Sequence, residues 1–326
     1  MTTKPLISFV IPVFNEEESV EAACFALRRI MKTVESRYDH EFVFTDNHSS
    51  DRTFDILTSL AADDSRIRVF RFSRNFGYQR SIKTGLLKAR GDMAVQIDCD
   101  LQDPPEMVVD FLRHWEEGYR VVYGVRESRE ESFVITSVRR IFYRLINSLS
   151  EDELPLDAGD FRLIDRCILD ELSRIDDSQP YLRGSIAAMG FKQKGIPYQR
   201  HARLHGVSKF SFSDLVRLGL DGILNHSIVP LRIASLCGVA LSSLVLLGTA
   251  GLMAGRFIFG ANWPAGFATL AVLILAGISL NAFFLGIIGE YLGRIYLQVK
   301  RRPLTIFERV IDRQSQDTAG PTEDIK

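Results

Sequence analysis

Residues 96–106, Gln-Ile-Asp-Cys-Asp-Leu-Gln-Asp-Pro-Pro-Glu, set four acidic side chains directly behind the apolar alternation that ends at Ile97. Carboxylates avoid the end of a buried strand unless something pairs with them. Side chains two apart on an extended chain point the same way, so Asp98 and Asp100 share a face. Two carboxylates on one face repel unless a cation lies between them. Hard oxygen ligands of this kind suit Mg2+ or Mn2+, with substrate phosphates completing the octahedron. A bare D-x-D also occurs in solvated acidic loops, and that reading stays open here. Neither G-x-G-x-x-G nor G-x-x-x-x-G-K-[ST] occurs. Phosphates would therefore not be held as in dinucleotide-binding or P-loop proteins, and a metal is the natural substitute. Asp103 and Glu106, beside Pro104 and Pro105, read as the start of the next helix, where acids favour the first turn.

The elements that must position these acids are strands and helices in alternation. Apolar, β-rich runs lie at 7–14, 41–46, 67–72, 93–98 and 120–125, with amphipathic helical stretches such as 19–36 and 52–64 between them. This pattern predicts an α/β fold with a mostly parallel sheet covered on both faces. Such sheets bind ligands at the carboxyl ends of their strands. Three polar clusters fall there: Asn15 to Glu18, Asp46 to Asp51, and Asp98 to Asp103. Residues 127–165 read as a loop feeding a basic amphipathic helix, and 186–198 as a strand pair.

The chain has 326 residues and a net charge of −1, from 40 Lys+Arg against 41 Asp+Glu, which gives no electrostatic footprint for nucleic acid. Its four cysteines form no C-x-x-C pair, so neither a zinc site nor a disulfide framework is indicated. The first residues form no signal peptide. Apolar mass crowds into 231–260 and 264–293, each with about 20 nearly uncharged residues, enough to cross the ~30 Å hydrocarbon core of a bilayer. A buried soluble hairpin is the alternative. Arg232 before the first stretch and Arg294, Lys300, Arg301 and Arg302 after the second predict a multi-pass protein of the cytoplasmic (inner) membrane, with both termini and the catalytic domain on the cytoplasmic side. The expected organisation is 1–210 catalytic, 211–229 amphipathic and interfacial, 230–293 two transmembrane helices, and 294–326 a basic segment with a polar tail.

The segments Ile11 to Glu18, Thr45 to Asp51, Arg74 to Gly77 and Asp98 to Glu106, in this order and spacing, resemble family-2 glycosyltransferases of the GT-A fold. With Gly159 to Arg166, Arg203 to Phe210 and Gly289 to Tyr296, the resemblance narrows to polyprenyl-phosphate glycosyltransferases such as bactoprenol glucosyltransferase and dolichyl-phosphate mannose synthase-like enzymes. It spans about residues 6–303. It implies that Pro12, Phe14 and Glu16 surround the nucleotide base and ribose, and that Asp46 and Asn47 contact uracil or ribose. It further implies that Asp98, Asp100 and Gln102 hold the metal and the donor phosphates, that Asp160, near the acceptor, and Asp100 are the catalytic acidic residues, and that Arg126, Arg203 and Lys209 lie near phosphate groups. The usual pattern at 46–49 is close to D-D-G-S. Asn47 here keeps an acceptor oxygen but loses a charge, and His48 replaces a permissive glycine, so that turn is expected to differ or to be solvated.

The implied activity is inverting transfer of a hexose, with glucose from UDP-glucose as the leading case, to undecaprenyl or another polyprenyl phosphate, with Mg2+ or Mn2+ as cofactor. The implied partners are a nucleotide-diphosphate sugar, the lipid phosphate, the membrane and a second copy of the chain. Transfer of an N-acetylhexosamine, mannose or aminoarabinose, a polysaccharide synthase, and a non-catalytic membrane scaffold are the other readings. Neither Trp115 nor Trp263 stands in the Q-x-x-R-W pattern of processive synthases. His201 and His205, four apart, match a zinc spacing but sit in a Gly- and Arg-containing loop pattern. Arg139, Arg140 and Arg144 read as a solvated basic face.

Overall fold

The computed structural model describes residues 4–126, 158–177, 180–199, 266–300 and 302–313, with scattered positions between 231 and 258. In chain order the elements are β1 (Leu6–Val13), α1 (Val20–Val34), β2 (Asp39–Asp46), α2 (Thr53–Asp63), β3 (Ile67–Phe72), α3 (Tyr78–Lys88), β4 (Met93–Gln96), α4 (Met107–Glu116) and β5 (Val121–Arg126). There follow β6 (Ala158–Asp165), α5 (Arg166–Arg174), α6 (Leu182–Ala188), β7 (Gln193–Tyr198), α7 (Phe267–Val299) and β8 (Phe307–Ile311). The strands form one sheet in the order β7-β5-β6-β4-β1-β2-β3-β8.

The period-2 alternation of β1 builds both cores. Ile7, Phe9, Ile11 and Val13 pack in the layer that holds Leu27 and Met31 of α1, Leu57 of α2 and Phe111 of α4. Val10 faces the other layer, with Ile82 and Leu86 of α3, Ile168 of α5 and Ile186 of α6. Gly85 lets α3 lie close: a Cβ there would stand 2.4 Å from Val10 Cγ1. That approach carries the first residue of α3, Tyr78, to the carboxyl end of the sheet.

The sheet is mixed, which corrects the expectation of a mostly parallel one. β1–β2, β1–β4, β2–β3 and β5–β7 are parallel. β6 runs antiparallel between β4 and β5, and β8 runs antiparallel on the edge of β3. Residues 182–188 are helical rather than half of a strand pair; buried Leu182 and Ile186 are four apart, the helical spacing. β1 lies between β2 and β4, and the chain order reverses on either side of it. The crevice at the carboxyl ends of β1 and β4 is therefore a topological switch point, where open α/β sheets bind ligands.

The chain divides into two compact units: Met1–Tyr143 with Asp152–Ser211 and Arg302–Lys326, and Arg144–Glu151 with Phe212–Arg301. The second apolar stretch becomes the single helix α7, which runs on through the Glu290–Arg294 ion pair to Val299. The first lies, apart from scattered positions, outside the described residues, as does the expected interfacial segment 211–229. Among the described residues no helix is long and apolar enough to cross a membrane. This corrects the expected transmembrane hairpin and, with it, the multi-pass membrane placement.

Candidate active site

The acidic turn leaves β4 in a strained form. Leu101 sits at φ +53°, in the left-handed region, and the Gln102 N–H donates to Asp100 Oδ1 at 3.1 Å. Side chains other than Gly, Asn and Asp seldom adopt that conformation, and such strain gathers at ligand sites. Asp98 accepts a 2.6 Å hydrogen bond from the Tyr78 hydroxyl. Burial pushes the Asp98 carboxyl up to about 7; the Tyr78 bond opposes this, while the charges of Asp160, Asp103 and Asp100 add to it. Burial likewise pushes the Tyr78 hydroxyl well above its ordinary range, helped by Asp98 and Asp160.

Asp160 reaches this point through sheet register. β4 and β6 pair Gln96 with Arg162, which brings Asp160 and Asp98, each two residues beyond that pair, close enough for the Asp160 charge to act on Asp98. Arg183, on α6, grips Asp160 with both ends of its fork: Nε to Oδ1 and Nη2 to Oδ2, each at 2.8 Å. Burial alone would raise the Asp160 carboxyl, but the Arg183 bonds and charge, with Arg162 and Arg126, hold it below the usual range. Asp98 and Asp160 thus differ in kind: one is poorly stabilised as an anion, the other is locked as one. Arg162 is itself buried, donates to the Gly159 carbonyl at 2.9 Å, and is pulled down to about 10 by desolvation.

A third acid completes the group. Asp103 is buried, accepts a hydrogen bond from the Tyr198 hydroxyl, and has Arg126 Nη2 at 3.8 Å. Arg126 Nε also donates to Tyr198 Oη at 3.2 Å. Tyr198 fits because Gly124 lacks a side chain: a Cβ there would lie 2.6 Å from the ring.

The other half of the crevice is made by the loops after β1 and β2. Asn15 N–H donates to Ser49 Oγ, Glu16 N–H to Thr53 Oγ1 and Asn47 N–H to the Val13 carbonyl. Pro12 is buried within β1, paired with Thr45, and Phe14 is 40% exposed at its end. Asp46 is fully buried. Its Oδ1 accepts from the Ser49 N–H at 2.9 Å and its Oδ2 faces Arg71 Nη1 at 3.4 Å; desolvation raises its pKa. Asn47 Oδ1 accepts the Phe76 N–H at 2.8 Å and so ties down the 74–77 loop. His48 keeps the turn that a glycine would favour: its φ is +65°, and its Nδ1 lies 3.0 Å from the Phe72 carbonyl oxygen.

Asp98, Asp100, Gln102, Asp160 and Arg126 therefore gather at one side of the crevice, and Pro12, Phe14, Glu16, Asp46 and Asn47 at the strand ends beside it. The charge of Glu16 reaches Cys99, which links the two halves. Arg203, Lys209, His201, His205, Arg139, Arg140 and Arg144 lie outside the described residues. Sequence reasoning passed over Tyr78, Arg183 and Tyr198, and set Asp103 aside as a helix start. Only Asp103 carried a signal, its place in the acidic run; the others are brought in by tertiary packing.

Among the described residues no group of three or more His, Cys, Asp or Glu is arranged to hold a metal on its own. Asp98 and Asp100 offer a partial oxygen set. That fits Mg2+ or Mn2+, which keep waters and substrate phosphates as their other ligands. The raised Asp98 pKa records first its burial and then the neighbouring acids, and a cation at the carboxylate would favour the anion against both.

Comparison with known proteins bears on the same residues. Residues 8–173 match the family described as Glycosyl transferase family 2. A Bacillus subtilis protein named an uncharacterized glycosyltransferase, YkcC, is 37% identical over 303 residues, covering 93% of each chain. The SfII prophage-derived bactoprenol glucosyl transferase of Shigella flexneri is 33% identical over 306 residues, 93% of this chain and 97% of that one. A prophage bactoprenol glucosyl transferase homolog of Escherichia coli is 33% identical over 305 residues, 93% and 99% of the two chains. The crystal structure of glucosyl-3-phosphoglycerate synthase from Mycobacterium tuberculosis with Mn2+, UDP and phosphoglyceric acid aligns at a TM-score of 0.46 and 19% identity, over 68% of this chain and 76% of that one.

Proposed function

The chain belongs to glycosyltransferase family 2, and from that premise we propose that it moves glucose, with inversion, from UDP-glucose to a polyprenyl phosphate. The observation that carries the reading is the meeting of Asp98 and Asp160 at the carboxyl end of β4, close enough for the Asp160 charge to act on Asp98. The nearly full-length similarity to proteins named bactoprenol glucosyl transferase supports the acceptor and the sugar.

Asp98 and Asp100 would hold Mg2+ or Mn2+, which when bound supplies positive charge to the departing diphosphate. Gln102 stands beside them. Asp46, with Pro12, Phe14, Glu16 and Asn47, takes the nucleoside. Arg126, bridged to Tyr198 and Asp103, presents its guanidinium to a phosphate, and Arg203 and Lys209 are assigned the same task from their place in the sequence.

Asp160 serves as an organiser rather than a strong base. A phosphate monoester has its second pKa near 6, so the acceptor is largely ionised at pH 7 and needs no deprotonation. Arg183 keeps Asp160 anionic. That suits it to accept a hydrogen bond from a sugar hydroxyl and to fix the surrounding arginines.

The test is transfer of label by the purified chain from UDP-glucose to undecaprenyl phosphate in detergent, run beside UDP-N-acetylglucosamine, UDP-galactose and GDP-mannose, with and without EDTA. The reading expects lipid-linked label from UDP-glucose, abolished by EDTA. Label passing only from another donor would replace the sugar. Label reaching water or a polymer but never the lipid would overturn the acceptor.

A further inference from the structure

β8 follows α7 and returns to the edge of the sheet beside β3. Its pairing is interrupted: Arg71 faces Arg309, and the next pair is Phe72 with Phe307. Glu308 is thus the extra residue of a β-bulge, a feature that re-aims a side chain. The side chain is aimed at Arg71, whose Nε donates to Glu308 Oε2 at 3.0 Å.

Arg71 is the hub of what lies beyond. Its Nη2 donates to the Ser49 carbonyl at 3.3 Å, its Nη1 stands 3.4 Å from Asp46 Oδ2, and its guanidinium lies 4.5 Å over the Phe54 ring. Glu308 Oε2 is also 3.3 Å from His48 Nδ1. One carboxylate on the returning strand therefore contacts both the cation that faces Asp46 and the residue at the apex of the 46–49 turn. Asp46 Oδ2 is buried and, among the described residues, accepts no hydrogen bond, so its lone pairs are not committed by the residues that surround it here.

We propose that Glu308 is a positioning residue for the nucleotide half of the site. Acting through Arg71 and His48, it fixes Asp46 and the 46–49 turn, and so sets the affinity for a nucleoside diphosphate it does not touch. With Glu308 in place, Arg71 is shared between two carboxylates and holds Asp46 at 3.4 Å rather than in a close fork. That leaves Oδ2 able to accept from a ribose hydroxyl or a base N–H. Without Glu308, the Arg71 fork is free to close on Asp46 and occupy that oxygen. The proposal rests on the assignment of Asp46 to the nucleotide.

The test uses the full chain, with calorimetric binding of UDP and of GDP and steady-state kinetics with UDP-glucose. Glu308→Ala should weaken nucleotide binding and raise the KM for UDP-glucose about tenfold, with kcat within about twofold, the pattern of lost ground-state binding. Glu308→Gln keeps the shape and an acceptor and should recover part of that loss. Asp312→Asn, directly after β8 and at the far end of the sheet, should lower Tm and leave KM unchanged, which separates aiming Arg71 from merely docking β8. Unchanged nucleotide affinity in Glu308→Ala, or an equal KM rise in Asp312→Asn, overturns the proposal. A wild-type chain that binds neither UDP nor GDP overturns the nucleotide assignment and the proposal together. UDP binding lost in Asp46→Asn but kept in Glu308→Ala overturns the proposal and leaves the assignment standing.

Discussion

The two ends of the sheet treat buried charge in opposite ways. At the amino end, Arg68 is buried and fully engaged: Nη1 donates to Glu41 Oε2 at 3.1 Å and to the Lys88 carbonyl at 2.7 Å, and Nε to Asp312 Oδ2 at 3.0 Å. Glu41 also accepts from Ser8 Oγ and from the Arg90 N–H, and Ser8 Oγ accepts from the Gly91 N–H. Each acid there meets a cation or an N–H, as buried polar networks require. At the carboxyl end, the charges of Asp160, Asp103 and Asp100 add to the burial that raises Asp98, while Asp160 is held by the two-pronged Arg183 fork. The first network fastens the strands. The second gathers negative charge around a poorly solvated Asp98, where a substrate and a cation can meet it. β8 and the residue directly after it contribute to both ends, with Asp312 at one and Glu308 at the other.

Asp98→Asn breaks the comparison most strongly. It removes a ligand and a charge at the reacting end, so turnover should fall about a thousandfold, the scale of losing a principal electrostatic stabiliser. Transfer of labelled glucose to lipid measures it. The same change should raise Tm in EDTA. The Asp98 carboxyl stands at about 7 in the folded chain against 3.8 ordinarily. Its stabilising contribution is therefore fully present below about pH 4 and is lost as pH rises through about 7. The ceiling is about 4 kcal/mol, and partial exposure brings the expected share to about half of that. Thermal scans in EDTA from pH 5 to 8 should show the wild type losing stability with rising pH more steeply than Asp98→Asn. Parallel curves would place the strain elsewhere.

Arg68→Met probes the other end. It leaves Glu41 and Asp312 buried without their shared cation, and should cost about 3–5 kcal/mol in denaturant unfolding. The KM for the sugar nucleotide should stay within twofold. A large KM change with little loss of stability would mean that the two ends are not separable.

Arg183→Lys is a smaller change within the acid cluster. Lysine keeps the charge but not the fork, so Asp160 is held less firmly and its pKa rises toward the ordinary value. The acid limb of the kcat/KM profile should move to higher pH, and kcat should fall about tenfold, the scale of one charge-assisted hydrogen bond. An unmoved acid limb would show that Asp160 ionisation does not govern the rate.

How much of this was legible in the sequence follows from which forces are local. β1 to β4 were readable because a buried strand with polar residues at its end shows itself in hydrophobic period and turn chemistry. Asp98 and Asp100 announced themselves by sharing a face. β8 stayed hidden because Phe307 to Ile311 is a charged edge strand whose partner lies more than 200 residues away. The antiparallel insertion of β6 between β4 and β5 is likewise a long-range choice, and with it went the meeting of Asp160 and Asp98. Arg183 and Tyr78 have no motif spacing at all; sheet register and the glycine-permitted approach of α3 bring them in. Asp103 misled because a proline pair beside an acid reads as a helix start, whereas burial against Tyr198 and Arg126 decides its role.

His48 separates local conformation from contact. Its φ of +65° costs an L-residue about 1–2 kcal/mol, while its ring bonds the Phe72 carbonyl and faces Glu308. His48→Ala and His48→Gly both remove the ring, but only alanine keeps a Cβ in the left-handed region. His48→Gly should therefore be more stable than His48→Ala by about 1 kcal/mol, less the few tenths that glycine loses to its freer unfolded chain. Both should share whatever rise in UDP-glucose KM follows from losing the ring. Equal stability of the two variants would mean that the turn relaxes out of the left-handed region once the ring is gone. The contact to the Phe72 carbonyl, and not the residue type at the apex, would then be what holds the turn beside Asp46.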